Sequence, residues 1–298
     1  MEKYPRTLVK KMVEAFDSVN KDMEECFPDC PDGPEVVKSL SYVTNASSRN
    51  IIATMIDYIN RSSLIVWNSG RVPLNKAKDF RKRMAGTLRA YLHAVQMKDS
   101  EWSTWSIAQY LWSRCPESGA PCFYLSNEFF SGFLEKTSAI PVPTLYDHYM
   151  YGSAVCSVVN DLVSVYRDTN TNDVNITKIL DKSGKIKGME EKMLALLQLV
   201  ESLIRYIYNS TKKLKKEYPE CSSWFDFIND MTIGWIYIHT FTSRYTSSCD
   251  KVSMTPVKEE MLYGWLNEKE NASAVRNIQE FQSVLEKERE KMKMLYAF

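Results

Sequence analysis

Apolar residues recur every three or four positions along most of the chain, which is the spacing of a helix with one buried face. Alternating apolar and polar runs between tight hairpin turns, which would indicate strands, are missing. Breaks fall where proline and glycine cluster. The pattern therefore predicts an all-α fold, with helices over 7–26, 48–68, 75–98, 104–114, 124–136, 143–170, 187–217, 222–245, 256–267 and 272–295.

The helix predicted over 143–170 changes character along its length. Residues 149–159 are almost all apolar or small, which indicates a buried helix, and a polar row follows them. Asn160, Ser164 and Asp168 lie at i, i+4 and i+8, so their side chains share one helix face, with Arg167 beside the last. Such residues are often only a solvated stripe. A polar row at the end of a buried helix, however, needs partners, because unpaired buried polar groups cost free energy.

The chemistry of this row favours a hard cation. A carboxylate and neutral oxygens are the ligands that suit Mg²⁺, which usually completes its shell with water and substrate phosphate. The row therefore points to a diphosphate substrate.

Composition removes several other classes of protein. The 298 residues are 44% apolar, enough for one large core, and no linker or repeat marks a second domain, so we expect a single domain over 1–298. The net charge of +1 argues against a nucleic-acid partner. No stretch suits a membrane span or a signal region. The seven scattered cysteines fit a reducing compartment, so we expect a cytoplasmic protein.

Motifs of the common enzyme classes are also missing. The chain has no Gly-x-Ser-x-Gly, no phosphate loop and no dinucleotide-binding glycine pattern. Its three histidines are far apart, and each is better explained as a satisfied interior or surface group than as a catalytic base. Hydrolase, kinase and dehydrogenase functions therefore lose their main support.

The segment NDLVSVYRD resembles the second metal-binding motif of class I terpene synthases, Asn-Asp-x-x-Ser-x-x-x-Glu/Asp. Other segments resemble the microbial members of this family in the same order along the chain. In AQYLWSRCPESGAP, Arg114 matches the diphosphate-sensing arginine, and Ser118 and Gly119 fall near the linker and effector positions of the following helix break. Arg244 and Tyr245 match the pair that closes the active site over the diphosphate.

The resemblance implies a function and a set of roles. It implies one α-helical bundle around a deep apolar pocket, in which Mg²⁺ (three ions, with Mn²⁺ as an alternative) and a prenyl diphosphate bind. Farnesyl diphosphate is the first expected substrate and geranyl diphosphate the next. The enzyme would ionise this substrate, release diphosphate and cyclise the resulting carbocation to a terpene hydrocarbon or alcohol. A homodimer is a further expectation.

The implied site residues fall into three groups. Asn160, Ser164 and Asp168 would bind metal. Cationic and hydroxyl donors to the diphosphate would be Arg114, Arg167, Arg244 and Tyr245. Ser118, Gly119, Tyr149 and Trp235 would contact the substrate. For Tyr149 and Trp235 the alternative is an ordinary core aromatic. Asn175 also lies where the family often has asparagine.

The first metal motif of the family is not intact in this sequence. An Asp-Asp-x-x-Asp/Glu pattern is expected near residues 17–25, where the chain offers Asp17, Asp22 and Glu25. An acidic amphipathic surface explains these residues equally well. Either the usual N-terminal helices are absent or the motif has diverged.

Two other functions stay open at this point. One is a degenerate homologue that binds an isoprenoid ligand without turnover. The other is a helical prenyltransferase, although those enzymes usually carry two aspartate-rich motifs where this chain has an Asn/Ser/Asp row.

Overall fold

The structure, a computed structural model, describes residues 6–30, 33–70, 72–98, 104–137, 139–170, 174–182, 186, 188–241 and 272–290. Within these ranges the chain is helical and has no strand, which confirms the predicted all-α fold. Among the described helices, none has the length and apolar character needed to cross a membrane. The helices are α1 (Arg6–Cys26), α2 (Gly33–Ser39), α3 (Ala46–Asn68), α4 (Leu74–Lys98), α5 (Ile107–Glu117), α6 (Ala120–Phe130), α7 (Leu134–Thr137), α8 (Val142–Asn170), α9 (Ile176–Lys182), α10 (Met189–Glu217), α11 (Ser222–Phe241) and α12 (Ala272–Lys287).

The chain divides into two compact units. The first comprises the described residues within Met1–Ser100, Pro121–Glu135 and Glu288–Phe298, and the second those within Glu101–Ala120 and Lys136–Lys287. The expectation of one bundle around a deep apolar pocket stays a prediction.

The first unit is built on α1, α3 and α4, which pack against one another, with α2 against α3. Its core contains Phe16 from α1, Ile56 from α3 and Phe80 from α4, all at most 1% exposed. One ion pair is buried here: Arg83 donates to both carboxylate oxygens of Glu128, at 3.2 and 2.7 Å. In the described part of this unit, a mainly apolar core thus also encloses the Arg83–Glu128 ion pair.

The second unit is organised around α8. Helices α5, α9, α10 and α11 all pack against it, which explains why its residues 149–159 are almost all apolar or small. Aromatic rings fill the space beside it: Tyr149 is fully buried between Tyr146 and Trp224, with ring centroids 5.7 and 6.3 Å away. The polar row that follows therefore lies on the helix that the rest of the unit surrounds.

One predicted helix needs correction, and two observed helices were not predicted. The single helix predicted over 124–136 is broken into α6 and α7, because Gly132 adopts φ +73, a conformation that glycine reaches without strain. Helix α2 begins at Gly33, two residues after Pro31 in a proline- and glycine-rich part of the sequence, and was not predicted. Helix α9, seven residues long, was not predicted at all. The helix predicted over 256–267 lies outside the described residues.

A buried histidine gives the second unit a pH-dependent stability. His148 on α8 is 2% exposed, 3.4 Å from the Thr211 hydroxyl, and packed edge-on against Phe225. Burial lowers the pKa of His148 from 6.5 to about 4. The unfolded chain therefore binds more protons than the folded chain between these values, so stability falls as the pH drops through that window.

We expect the free energy of unfolding to be lower at pH 5 than at pH 7 by about 2 kcal/mol on account of His148 alone. Urea unfolding of the wild type and of His148→Gln at both pH values measures this. The variant should lose that part of the pH dependence. An unchanged pH dependence in His148→Gln would show that this histidine is not the titrating group.

Candidate functional site

The polar row on α8 follows the apolar stretch 149–159 and lies on a part of the helix that is still largely buried. Ser164 and Asp168 are buried, at 1% and 4% exposure, and Asn160 is half-buried. The Ser164 hydroxyl donates to Asp168 Oδ2 at 2.5 Å, so two members of the row lie side by side. The structure thus confirms that the row shares one face and that this face is not a solvated stripe.

The carboxylate of Asp168 accepts hydrogen bonds on both of its oxygens. Arg167 donates to its Oδ1 from Nε and Nη2, at 3.0 and 2.9 Å. Asn175, just before α9, donates from Nδ2 to its Oδ2 at 2.9 Å. Together with Ser164, these donors fix the direction in which the carboxylate points.

Arg114 joins the row at its other end. Its Nη2 atom donates to Asn160 Oδ1 at 2.9 Å, which brings the predicted diphosphate-sensing arginine into direct contact with the first residue of the row. Arg114 also lies 3.4 Å from Glu117 and 3.4 Å from Asp161, measured from Nη1 and Nε to the nearest carboxylate oxygen. A guanidinium and hard oxygen donors therefore lie together at one largely buried place.

Asp161 is a site residue that the sequence interpretation missed. It is 1% exposed and accepts from the Tyr110 hydroxyl and, at 3.1 Å, from the backbone amide of Ile176, as well as from Arg114. The available signal was its place as the second residue of NDLVSVYRD. It does not share the helix face of the row, which is why the i, i+4, i+8 spacing passed over it.

Burial and charge act in opposite directions within this cluster. Burial raises the pKa of the Asp161 carboxyl, and Arg114 together with the hydrogen bonds from Tyr110 and Ile176 offsets only part of that rise. Burial and the Asp161 carboxylate both hold the pKa of Tyr110 well above its ordinary value, so Tyr110 stays a hydroxyl donor. Burial lowers the pKa of Arg114, but the charges of Asp161 and Glu117 outweigh the effect of burial and raise this pKa well above its usual value. Arg114 therefore stays cationic.

Local sequence fixes the helix that carries Arg114. Ser106 caps the N-terminus of α5: its hydroxyl accepts from the Gln109 amide at 3.2 Å, and the Gln109 side chain accepts from the Ser106 amide at 2.9 Å. At the other end the helix stops at Glu117, Ser118 caps it, and Gly119 turns the chain at φ +74. The predicted helix break is confirmed; contact of Ser118 and Gly119 with a substrate stays a prediction.

We expect Ser106→Ala to lower the free energy of unfolding by about 1 kcal/mol, because the variant loses the side-chain acceptor for the first turn of α5. Urea unfolding measures the loss. Ser106→Asp, which keeps an acceptor and adds a negative charge at the helix N-terminus, should retain most of the stability. Equal stability of Ser106→Ala and the wild type would contradict the capping account.

The acidic candidates for the first metal motif belong to the first unit, on α1. Asp17 is half-buried and pairs with Arg89, whose Nη2 lies 2.6 Å from Asp17 Oδ2. Asp22 and Glu25 are exposed. Asp17 thus has a structural role as the partner of an arginine, and metal binding by all three residues stays a prediction.

Four predicted site residues remain, two of them aromatic residues in the described part of the second unit. Arg244 and Tyr245 lie outside the described residues. Tyr149 is packed among core aromatics, as the alternative interpretation of that residue had it. Trp235 on α11 is half-buried, with its ring centroid 6.5 Å from that of His239. Contact of either aromatic with a substrate stays a prediction.

The row fits Mg²⁺ by the chemistry of its donors. Ser164 Oγ and Asp168 Oδ2 are adjacent hard oxygens, and Asn160 Oδ1 adds an amide oxygen on the same face. Within the described ranges, no three His, Cys, Asp or Glu side chains gather into a metal site. A row with one carboxylate would leave most of the shell to water and substrate phosphate, which is how Mg²⁺ is usually bound.

No protein-family model matches the chain, and no curated protein is significantly similar to it. The resemblance to class I terpene synthases therefore rests on the motifs and their order.

Proposed function

We propose that the second unit binds the diphosphate group of a linear prenyl diphosphate and that the protein is a terpene cyclase of class I type. The observation that carries the proposal is the contact between Arg114 and Asn160, at 2.9 Å. It joins a permanently cationic donor to a row of oxygens suited to Mg²⁺ in a largely buried place. Cation, metal ligands and limited access to water are together what ionisation of an allylic diphosphate requires.

The proposed reaction begins with heterolysis of the bond between the allylic carbon and the diphosphate oxygen. The diphosphate leaves with the bonding electron pair, and the carbon chain becomes an allylic cation. Arg114 and Arg167 would donate hydrogen bonds to the departing oxygens, where planar guanidinium groups bind bidentately. Arg244 and Tyr245 are proposed to add donors to the same group. The cyclised cation gives a hydrocarbon when it loses a proton to the departed diphosphate. It gives an alcohol when it captures a water molecule that then loses a proton to the same group.

Mg²⁺ held by Asn160, Ser164 and Asp168 would supply Lewis-acid stabilisation of the leaving group. The protein residues around the row would keep it oriented. Asn175 and Arg167 hold the Asp168 carboxylate from two sides, so that it need not reorganise when charge develops. Farnesyl diphosphate is the first proposed substrate, geranyl diphosphate the second.

Incubation with farnesyl or geranyl diphosphate and Mg²⁺, followed by gas chromatography and mass spectrometry of the extract, tests the proposal. We expect a cyclic hydrocarbon or alcohol from at least one substrate, and none when the metal is chelated. Absence of product from every common prenyl diphosphate would overturn the enzyme function. Binding of an isoprenoid without turnover would then favour the degenerate homologue, and a longer prenyl diphosphate as product would favour a prenyltransferase.

A further inference from the structure

Asp161 is a buried carboxylate that the proposed ligand set does not use. It lies next to Asn160 in the sequence, but its carboxylate is bound to other elements of the second unit. A charge at 1% exposure costs free energy unless hydrogen bonds and an opposite charge compensate it. The hydrogen-bond and charge partners of Asp161 therefore indicate the role of its carboxylate.

Those partners come from both helices that flank the row. On α5, Tyr110 donates its hydroxyl to Asp161 Oδ2, and Arg114 lies 3.4 and 3.5 Å from Oδ1 through Nε and Nη2. At the start of α9, the amide of Ile176 donates to Oδ2 at 3.1 Å. One carboxylate thus ties α5, α8 and α9 together around the row.

The Arg114 guanidinium is held on two sides by this arrangement. Asp161 and Glu117 hold its Nε and Nη1 atoms, and Nη2 points to Asn160. The arginine side chain has several rotatable bonds, so the Arg114 guanidinium keeps one orientation only if such partners hold it. The Asp161 carboxylate is the anchor most deeply buried.

Asn175 connects Asp161 to Asp168, the carboxylate of the proposed metal site. Its Nδ2 donates both to the backbone carbonyl of Asp161 and to Asp168 Oδ2, each at 2.9 Å. Its Oδ1 accepts from the amide and hydroxyl of Thr177, at 3.0 and 2.8 Å, which fixes the amide group at the start of α9. Asp161 thus anchors both the arginine and the segment that supports Asp168.

We infer that Asp161 is a positioning residue that holds Arg114 and, through the start of α9 and Asn175, Asp168 in the arrangement that receives a metal-bound diphosphate. The inference rests on the proposed function. Asp161 itself touches neither metal nor substrate. Removing its charge should weaken diphosphate binding through Arg114 and Asp168.

The alternative is that Asp161 only stabilises the fold. A structural role would lower the stability of Asp161→Asn without a specific effect on Arg114. Glu128→Gln is the matched control, because Glu128 is an equally buried carboxylate that faces an arginine, Arg83, in the first unit. Tyr110→Phe is a milder second variant, since it removes one donor to Asp161 and leaves the pair with Arg114.

The first measurement follows Arg114 directly and needs no substrate. Phenylglyoxal modifies arginines, and peptide mass spectrometry gives the rate at Arg114 relative to the exposed Arg61. We expect the relative rate to rise severalfold in Asp161→Asn and less in Tyr110→Phe, and to stay at the wild-type value in Glu128→Gln. An unchanged rate at Arg114 in both Asp161→Asn and Tyr110→Phe would overturn the inference. A rise in Glu128→Gln as large as in Asp161→Asn would overturn it as well.

The second measurement is the affinity for inorganic pyrophosphate with Mg²⁺, by isothermal titration calorimetry. We expect Asp161→Asn to bind at least about tenfold more weakly than the wild type, the size typical of losing an outer-shell support. Wild-type affinity in Asp161→Asn would overturn the inference and leave the proposed function intact. No binding by the wild type would overturn the proposed function, and the rate at Arg114 would then decide the anchoring role alone.

Discussion

Asp168→Asn is expected to lower the rate of product formation from farnesyl diphosphate by about 100-fold or more, the loss typical of removing one group that stabilises developing charge. Asp168 supplies the only carboxylate of the row, and its two oxygens accept from Ser164, Asn175 and Arg167. Asparagine keeps the size of the side chain but removes the charge that Mg²⁺ needs. The effect should therefore fall on catalysis more than on folding.

The measurement is initial product formation under saturating Mg²⁺, with helicity checked by circular dichroism. Asp226→Asn is the matched control, because Asp226 is an exposed carboxylate of the same unit that pairs with Lys215. It should retain the wild-type rate. A folded Asp168→Asn protein that also keeps the wild-type rate would show that the row does not bind the catalytic metal.

Glu128→Ala is expected to lower the free energy of unfolding by about 3–5 kcal/mol, the usual cost of removing one partner of a buried ion pair. Arg83 and Glu128 have side-chain exposures of 6% and 1%, and their contact is bidentate. Without the carboxylate, the charge of Arg83 stays buried with much less compensation. This is the largest single stability effect that we expect in the first unit.

Urea unfolding of Glu128→Ala, Arg83→Met/Glu128→Leu and the wild type tests this. The double variant replaces both charges with apolar side chains and should recover much of the loss. Arg61→Ala breaks the ion pair of Arg61 with Asp57, in which the arginine side chain is 70% exposed. This variant should change the free energy of unfolding by less than about 1 kcal/mol. A loss in Glu128→Ala no larger than in Arg61→Ala would contradict the account.

The main helices follow from local pattern, and their interruptions show where that pattern stops being informative. Helix α8 was predicted over 143–170 and is observed at Val142–Asn170, because its apolar run is long and one proline precedes it. The break at Gly132 was missed because one glycine within an amphipathic run does not by itself indicate a left-handed turn. Helix α9 was missed because it is short and is held by a distant carboxylate, through the Ile176 amide.

The candidate site was predicted in part for a similar reason. Spacing alone places Asn160, Ser164 and Asp168 on one face, since the three residues share one helix. The contacts of Tyr110 and Arg114 with this region join residues 46 to 51 positions apart, and helical periodicity carries no information at that distance. The order of the motifs placed Arg114 in the site, but only the structure shows that Asp161 holds it.

Isothermal titration calorimetry of inorganic pyrophosphate with and without Mg²⁺ tests the central claim most directly, because it depends on the metal–diphosphate site and not on the identity of the terpene. We predict binding by the wild type that requires Mg²⁺ and that is lost in Asp168→Asn. Binding that is equally strong without Mg²⁺, or that persists unchanged in Asp168→Asn, would contradict the assignment of Asn160, Ser164 and Asp168 as the metal ligands.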